Sequence, residues 1–395
     1  MCLGCAEKAP PAVFTGFCMK KILFLSNTAN FSKFNLPYMR WFREQGWQVD
    51  YCSAGEETVP DCDNQYSISI ARSPFSLKNL RAYSELKKLL LENEYDILHC
   101  HTPMGGVLGR LAASGLRKKH KIRVIYTAHG FHFYKGAPLF NWLFYYPVER
   151  QLARKTDLLI TINKEDFKRA EDFRAGKVIY VPGVGVDIDK LGQTTCGREA
   201  KRAELGTQQA DFIILSVGEL IKRKNHVLTL EALAILKKKC GLNGIQFLIC
   251  GSGILEKTLK EKAESLGISD HVRFLGYRKD IGELCAASDL FVFMSLQEGL
   301  PVALMEAMAC GVPVVCSEIR GNTDLVENGK SGEIVESRPQ DLADAILKLK
   351  NDRALRDFYA QNAAATVRRF DLASVEPEMQ AAYLGEIAET EKSVI

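Results

Sequence analysis

Short apolar runs ending in glycine or polar residues recur along this chain, each followed by a helix-like stretch, and the series starts twice. The first series comprises residues 20–27 (KKILFLSN), 47–53, 96–100 (DILHC), 122–127 (IRVIYT), 158–162 (LLITI) and 177–181 (KVIYV), with helical patterning at 36–45 and 80–92. Residues 192–209 are polar and charged, without a strong apolar period. The second series runs through 211–217 (DFIILSV), 247–250, 272–274, 289–294 (DLFVFM) and 312–316, with an amphipathic helix at 227–239. Runs that are apolar without alternation, set between helices, are strands of a parallel sheet covered on both faces. The expected fold class is α/β: two doubly wound, Rossmann-like domains facing across a cleft, with the cleft as the default ligand site.

The expected division is a disordered extension at 1–18, an N-terminal Rossmann-like domain at 19–192, a linker at 193–210 and a C-terminal Rossmann-like domain at 211–374. A closing helix at 375–395 is expected to cross back to the first domain. A length of 395 residues fits two domains. The first eighteen residues lack the positive charge and unbroken apolar core of a secretory signal, and Met19 resembles a natural start. Their Cys2 and Cys5 form one C-x-x-C without the second ligand pair of a zinc site. The apolar run at 137–148 has twelve residues, too few to span a bilayer as a helix. Scattered cysteines in apolar surroundings, such as Cys250 and Cys316, fit reduced thiols and a cytoplasmic location.

The net charge of +4 is unevenly placed. Residues 1–190 carry 27 Lys and Arg against 19 Asp and Glu, a balance of +8, and residues 191–395 carry 25 against 29, a balance of −4. No acid occurs between Asp96 and Glu149, a stretch with seven Lys or Arg and five of the seven histidines. The N-terminal half should therefore meet an anion, either a pyrophosphate or an anionic membrane surface. The chain has no recognised nucleic-acid motif, so no nucleic-acid partner is expected.

The segment 295–313 (SLQEGLPVALMEAMACGVP) carries the strongest chemical signal. Glu298 and Glu306 lie eight residues apart in it and bracket a Gly-Leu-Pro turn that opens a short helix. Glu298 follows the run 289–294 and so falls at a strand's carboxyl end, where open α/β sheets bind ligands. Gly299 permits close backbone approach, Leu300 and Pro301 lead into the helix, and Gly311 ends it. Carboxylates accept hydrogen bonds from sugar hydroxyls, and a helix N-terminus seats phosphate. The pattern points to a sugar attached to a phosphate. Two solvated glutamates are the plainer alternative, but their apolar neighbours weigh against it, because a buried carboxylate needs a partner.

Other candidates sit at equivalent strand ends. Gly218 follows DFIILSV and is followed by Lys222, Arg223 and Lys224, cations suited to a diphosphate. Gly253 belongs to a weak G-x-G after QFLIC, and Tyr277 follows VRFL, where it could line a base pocket. His129, beside Gly130, follows IRVI and could polarise or hydrogen-bond a reacting group. A structural histidine is the alternative there. The histidine spacings match no zinc motif, and no metal site is expected. Asp187-Ile-Asp189 and Asp61-Cys-Asp63 are D-x-D pairs, and Asp187 reads best as a hinge or capping residue. No P-loop sequence is present. Arg117, Lys118, Lys119 and Trp142 are candidates for an acceptor or membrane side, through charge and through the aromatic run 140–146 (FNWLFYY).

Together these residues resemble the retaining glycosyltransferases of family 4, which have the GT-B fold. The Glu298-to-Glu306 spacing matches that family's E-x7-E motif, and VGELIKRKN occupies the place of its phosphate turn. HVRFLGYRKDI, AASDLFVFMS and EGLPVALMEAMACGVPVV follow in the usual order, and the likeness covers residues 19–383. HCHTPMGG, YTAHGFHFYKG and TINKED are similar to the subgroup that builds capsule, exopolysaccharide or O-antigen units. The resemblance implies an N-terminal acceptor domain and a C-terminal donor domain. It places Glu298 on the donor sugar, Glu306 on the ribose, Lys224 on the diphosphate and His129 at the reacting centre. It also implies a nucleotide-sugar donor, UDP-sugar above all, no cofactor or metal, and a polyprenyl-diphosphate-linked saccharide as acceptor. The site of action would be the cytoplasmic face of the inner membrane. One departure stands out: the family usually has arginine after the turn glycine, and this chain has Glu219, whose charge would repel a diphosphate unless Arg223 or Lys222 substitutes. The rival readings are a nucleotide-sugar 2-epimerase of the same architecture and a non-catalytic sugar-nucleotide-binding protein.

Overall fold

The computed structural model describes residues 19–119, 121–192 and 196–386, so the expected extension at 1–18 lies outside the described residues. Its strands form two all-parallel sheets, of seven and six strands. The chain divides into two compact units, up to Val124 and from Ile125.

The first unit contains β1 (Lys21–Thr28), β2 (Gln48–Ala54), β3 (Asn64–Ser67) and β4 (Ile97–His101), in the order β3-β2-β1-β4. Its helices are α1 (Leu36–Glu44), α2 (Lys78–Asn93), α3 (Pro103–Ala112) and α4 (Ser114–Lys118). Ile22, Leu23, Phe24 and Leu25 of β1 are all fully buried, which is why this run shows no polar alternation. The strand β3 was not expected. Its sequence NQYS is polar, and it exists because an edge position beside β2 lets its side chains stay accessible.

The second unit takes in β5 (Arg123–Ala128) from Ile125 onward, β6 (Leu158–Thr161) and β7 (Lys177–Tyr180), paired in that order, with α5 (Leu139–Ala153), α6 (Lys164–Ala170) and α7 (Ile188–Gly192). After α8 (Arg198–Glu204), the second sheet is built from β8 (Phe212–Val217), β9 (Ile245–Cys250), β10 (Val272–Gly276), β11 (Leu290–Phe293), β12 (Val314–Ser317) and β13 (Glu333–Val335), in the order β10-β9-β8-β11-β12-β13. Between and after these strands come α9 (His226–Cys240), α10 (Glu256–Ser265), α11 (Ile281–Ala287), α12 (Val302–Ala309), α13 (Asn322–Leu325), α14 (Pro339–Asn351), α15 (Arg353–Val367) and α16 (Leu372–Leu384). Successive residues of β8 serve opposite cores. Phe212 and Ile214 pack with Leu230, Leu233 and Ile346 on one face, while Ile213 and Leu215 pack with Leu304, Met305 and Met308 on the other.

Two segments differ from the sequence reading. The stretch taken as a polar connection contains α8, whose Lys201 and Arg202 are buried. Lys201 pairs with Glu204, Asp280 and Glu283 at 2.6, 2.9 and 2.6 Å. Arg202 pairs with Asp289 at 2.7 Å and donates to the carbonyls of Ala287, Gln209 and Asp211. Charged side chains carry the packing of α8, so no apolar period marks it. The closing helix α16 begins earlier than expected, and the backbone before it pairs Val186 with Asp371.

Candidate active site

The turn after β8 and the loop after β11 are sewn together by their backbones. Leu296 N–H donates to the Arg223 carbonyl at 2.8 Å, and Ser295 Oγ lies 3.1 Å from the same carbonyl oxygen. Asn225 takes the left-handed conformation at φ 54° and ends this cationic turn just before α9. The effect is to bring the three candidates Arg223, Lys224 and Glu298 into one cluster. Arg223 Nη1 donates to Glu298 Oε1 at 2.7 Å, Lys224 Nζ to the same oxygen at 2.8 Å and Ser295 Oγ to it at 2.6 Å. All three bonds converge on Oε1 and orient the carboxylate with Oε2 outside the cluster. Burial lowers the pKa of Lys224, and the adjacent Glu298 opposes that shift. The Lys224 ammonium also lies 4.9 Å from the Phe293 ring centroid, and its aliphatic chain runs past Gly218.

His129 directly follows β5 and is partly buried. Desolvation lowers its imidazole pKa to about 3, so the ring is neutral throughout the physiological range. A neutral imidazole can donate or accept a hydrogen bond, but it is not a proton carrier poised near pH 7. Gly299 lies directly against this residue: a Cβ there would come within 2.0 Å of the His129 carbonyl oxygen. Only glycine allows the two backbones to pass so closely. Leu300, next in the chain, is buried and reaches toward Gly183.

The remaining candidates are placed as follows. Glu306 lies on α12 and is partly exposed, close enough to Cys250 at the end of β9 for its charge to assist burial in raising that thiol's pKa. Gly253 meets Leu220, where a Cβ would lie 2.6 Å from the carbonyl oxygen, so this G-x-G serves the close packing of two neighbouring turns. Tyr277 is 75% exposed at the end of β10 and presents a ring face to solvent. Its neighbour Arg278 is committed elsewhere, to Asp280 and Glu204. Glu219 is exposed, Arg223 and Lys224 pair with Glu298, and the Glu219 charge still acts on Lys224, where it favours the ammonium form. Asp187 Oδ1 accepts from Lys190 N–H at 2.9 Å, a capping contact. Among the described residues no group of His, Cys, Asp and Glu is arranged to hold a metal ion.

Arg117, Lys118 and Lys119 lie on and just after α4 in the first unit. Trp142 is only half-buried and is packed sideways: its ring lies 5.9 Å from Phe133, with the Arg169 guanidinium 4.4 Å above it. The strongly exposed apolar residues of α5 are instead Leu139, Phe140 and Leu143, at 72, 56 and 70%.

Sequence reasoning missed Ser295, Asp166 and Arg320. Arg320 follows β12 and reaches Asp166 Oδ1 at 2.5 Å, the Phe131 carbonyl at 2.6 Å and the Glu298 carbonyl at 3.0 Å. Its position just past a strand's carboxyl end was the available signal, but its partners come from segments more than 150 residues away for two of the three bonds.

Two parallel Rossmann-like sheets, with a carboxylate–cation cluster at the strand ends of the second, define a GT-B glycosyltransferase. Residues 197–366 match the family model for glycosyl transferases group 1, and residues 21–163 match that for glycosyl transferase 4-like proteins. The chain belongs to this glycosyltransferase family and is a hexosyltransferase. It is 41% identical over 321 residues to the putative glycosyltransferase EpsD of Bacillus subtilis, spanning 80% of this chain and 84% of that one. It is 31% identical over 292 residues to an Escherichia coli UDP-Gal:alpha-D-GlcNAc-diphosphoundecaprenol alpha-1,3-galactosyltransferase, spanning 73% and 74%. In fold it resembles Anabaena Alr3699/HepE, solved in complex with UDP and glucose. That match has a TM-score of 0.76 at 23% identity and covers 93% of this chain and all of the other.

Proposed function

We propose that this enzyme moves a hexose or N-acetylhexosamine from a UDP-sugar to a hydroxyl of a polyprenyl-diphosphate-linked saccharide, with retention of anomeric configuration, in the synthesis of a cell-surface polysaccharide. The observation that carries this reading is the cluster of Glu298 with Arg223 and Lys224 at the carboxyl ends of β8 and β11. The carboxylate is suited to donor-sugar hydroxyls through Oε2. The two cations are suited to the leaving diphosphate, where fixed positive charge stabilises the charge that develops. Glu306, on α12 just after the Glu298 loop, takes the ribose, and Tyr277 stacks on the base with its exposed ring. The HepE complex, which holds UDP and glucose, and the diphosphoundecaprenol in the galactosyltransferase's name support the donor and acceptor classes.

In this reading His129 acts as a neutral hydrogen-bonding group beside the reacting sugar. Glu298, held through Oε1 by three donors, serves in this reading as a fixed hydrogen-bonding carboxylate, and no covalent step on it is invoked. That suits attack of the acceptor on the same face from which the diphosphate departs. The enzyme would work as a peripheral protein on the cytoplasmic face of the membrane. Among the described residues no helix is long and apolar enough to cross a bilayer. Exposed Leu139, Phe140 and Leu143 in one unit, and Phe75, Leu77 and Leu80 beside Lys78 and Arg81 in the other, are suited to an anionic lipid surface.

The test is a panel of UDP-, GDP- and ADP-sugars with lipid extracts, scored for nucleoside diphosphate release and product mass. The expected result is acceptor-dependent UDP release with a product of the donor's anomeric configuration. Release of an altered nucleotide sugar without acceptor would assign an epimerase, and binding without turnover would assign a non-catalytic binder.

A further inference from the structure

Arg320 is 7% exposed overall, and its side chain only 3%. Its guanidinium makes three directional bonds. Nη1 reaches Asp166 Oδ1 at 2.5 Å, Nη2 reaches the Phe131 carbonyl at 2.6 Å, and Nε reaches the Glu298 carbonyl at 3.0 Å. The planar group also lies 4.8 Å from the Tyr134 ring centroid. Asp166 is itself fully buried and accepts from Phe131 N–H at 2.9 Å and from Asn163 Nδ2 at 2.8 Å. Thus Phe131 is gripped at both ends of its peptide units, its N–H by Asp166 and its carbonyl by Arg320. One guanidinium therefore ties the His129–Phe131 backbone after β5 to the Glu298–Gly299 backbone after β11. The bare contact between Gly299 and the His129 carbonyl leaves no slack between these segments.

We propose that Arg320, seated on Asp166, is a positioning residue for transfer, one that holds His129 and Glu298 in mutual register without touching the substrate. This inference rests on the assignment of His129 and Glu298 to the reacting centre. Lysine cannot replace it, because a single ammonium cannot reach three acceptors in one plane as the guanidinium fork does. An error of about 1 Å in the placement of such groups costs on the order of 100-fold in rate.

The test uses the full-length protein with R320A, R320K and D166N variants. R320A should lose about 100-fold in kcat with donor KM within about threefold, because ground-state donor contacts remain while alignment is lost. R320K should show a similar loss, and free guanidinium at tens of millimolar should restore at least about tenfold to R320A but nothing to R320K. Hydrogen exchange, which needs no turnover, should quicken at residues 129–131 and 298–300 together in R320A and R320K. A folded R320K with parental kcat overturns the proposal, as does exchange that changes only near residue 320. Were R320A not to fold, R320K and D166N carry both readouts. Inactivity of the unsubstituted enzyme on every donor would count against the functional reading alone, and the exchange result would still decide the register role.

Discussion

At the scale of single residues, the cluster is an economy of charge. Lys224 is nearly buried, and an unpaired ammonium there would be costly, so Glu298 is its structural counter-ion and, in the proposed function, also the group offered to the sugar. Replacing Glu298 with glutamine keeps the shape and removes the charge. The expected outcome is a fall of kcat/KM by about 100-fold or more, with the fold retained by circular dichroism. Parental kinetics for that variant would remove Glu298 from the reacting centre. A second expectation concerns the buried histidine at the start of α9. Burial lowers the His226 pKa to about 4, below the ordinary value of 6.5. Above pH 6.5 the ring is neutral in both folded and unfolded chains and contributes no pH dependence. As pH falls below 6.5 the unfolded chain takes up a proton that the folded chain refuses, so stability declines toward pH 4. Between pH 7.5 and 5 this group should account for about 2 kcal/mol of lost stability. Urea unfolding of the H226Q variant should show a correspondingly flatter pH dependence, and an unchanged slope would contradict this account.

At the scale of elements, the site depends on how closely two loops approach. Gly299→Ala would place a methyl against the His129 carbonyl oxygen, a backbone atom that cannot swing aside. The expected result is a loss of about 1–3 kcal/mol in stability and a severe loss of activity. A thermal midpoint and kcat equal to those of the parent would show that the loops have room to separate. The same elements show what could be read in advance. β1, β8 and β11 were legible as apolar runs, because parallel strands are covered on both faces. The helix α12 was legible with its limits, because Pro301 and Gly311 punctuate it. The strand β3 and the helix α8 were not. The first is a polar edge strand, and the second packs through ion pairs of Lys201 and Arg202 in place of an apolar stripe. Within the site, Glu298, Lys224 and His129 stood out by type and position after a strand, whereas Arg320 and Asp166 did not. Their meaning lies in one contact between residues 154 positions apart.

At the scale of the whole molecule, the proposed lipid-linked acceptor calls for a surface that meets the membrane. The aromatic run on α5 drew attention in the sequence, but packing takes Trp142 into contact with Phe133 and Arg169 and leaves Leu139, Phe140 and Leu143 outward. Substituting serine at those three positions together should weaken binding to anionic vesicles by about tenfold or more, each exposed apolar side chain being worth on the order of 1 kcal/mol at an interface. A flotation assay at low salt measures it, and equal binding by the parent and the triple variant would remove α5 from the contact. The sequence by itself determined the two parallel sheets, the family and the residue types at the strand ends. Those follow from burial on both sheet faces and from short-range turn chemistry, both of which are written locally. Only the tertiary structure decided that Glu298 pairs with both Lys224 and Arg223 and that Arg320 ties two loops together. Those facts depend on which distant side chains share a space too small and too dry to leave a charge without its partner.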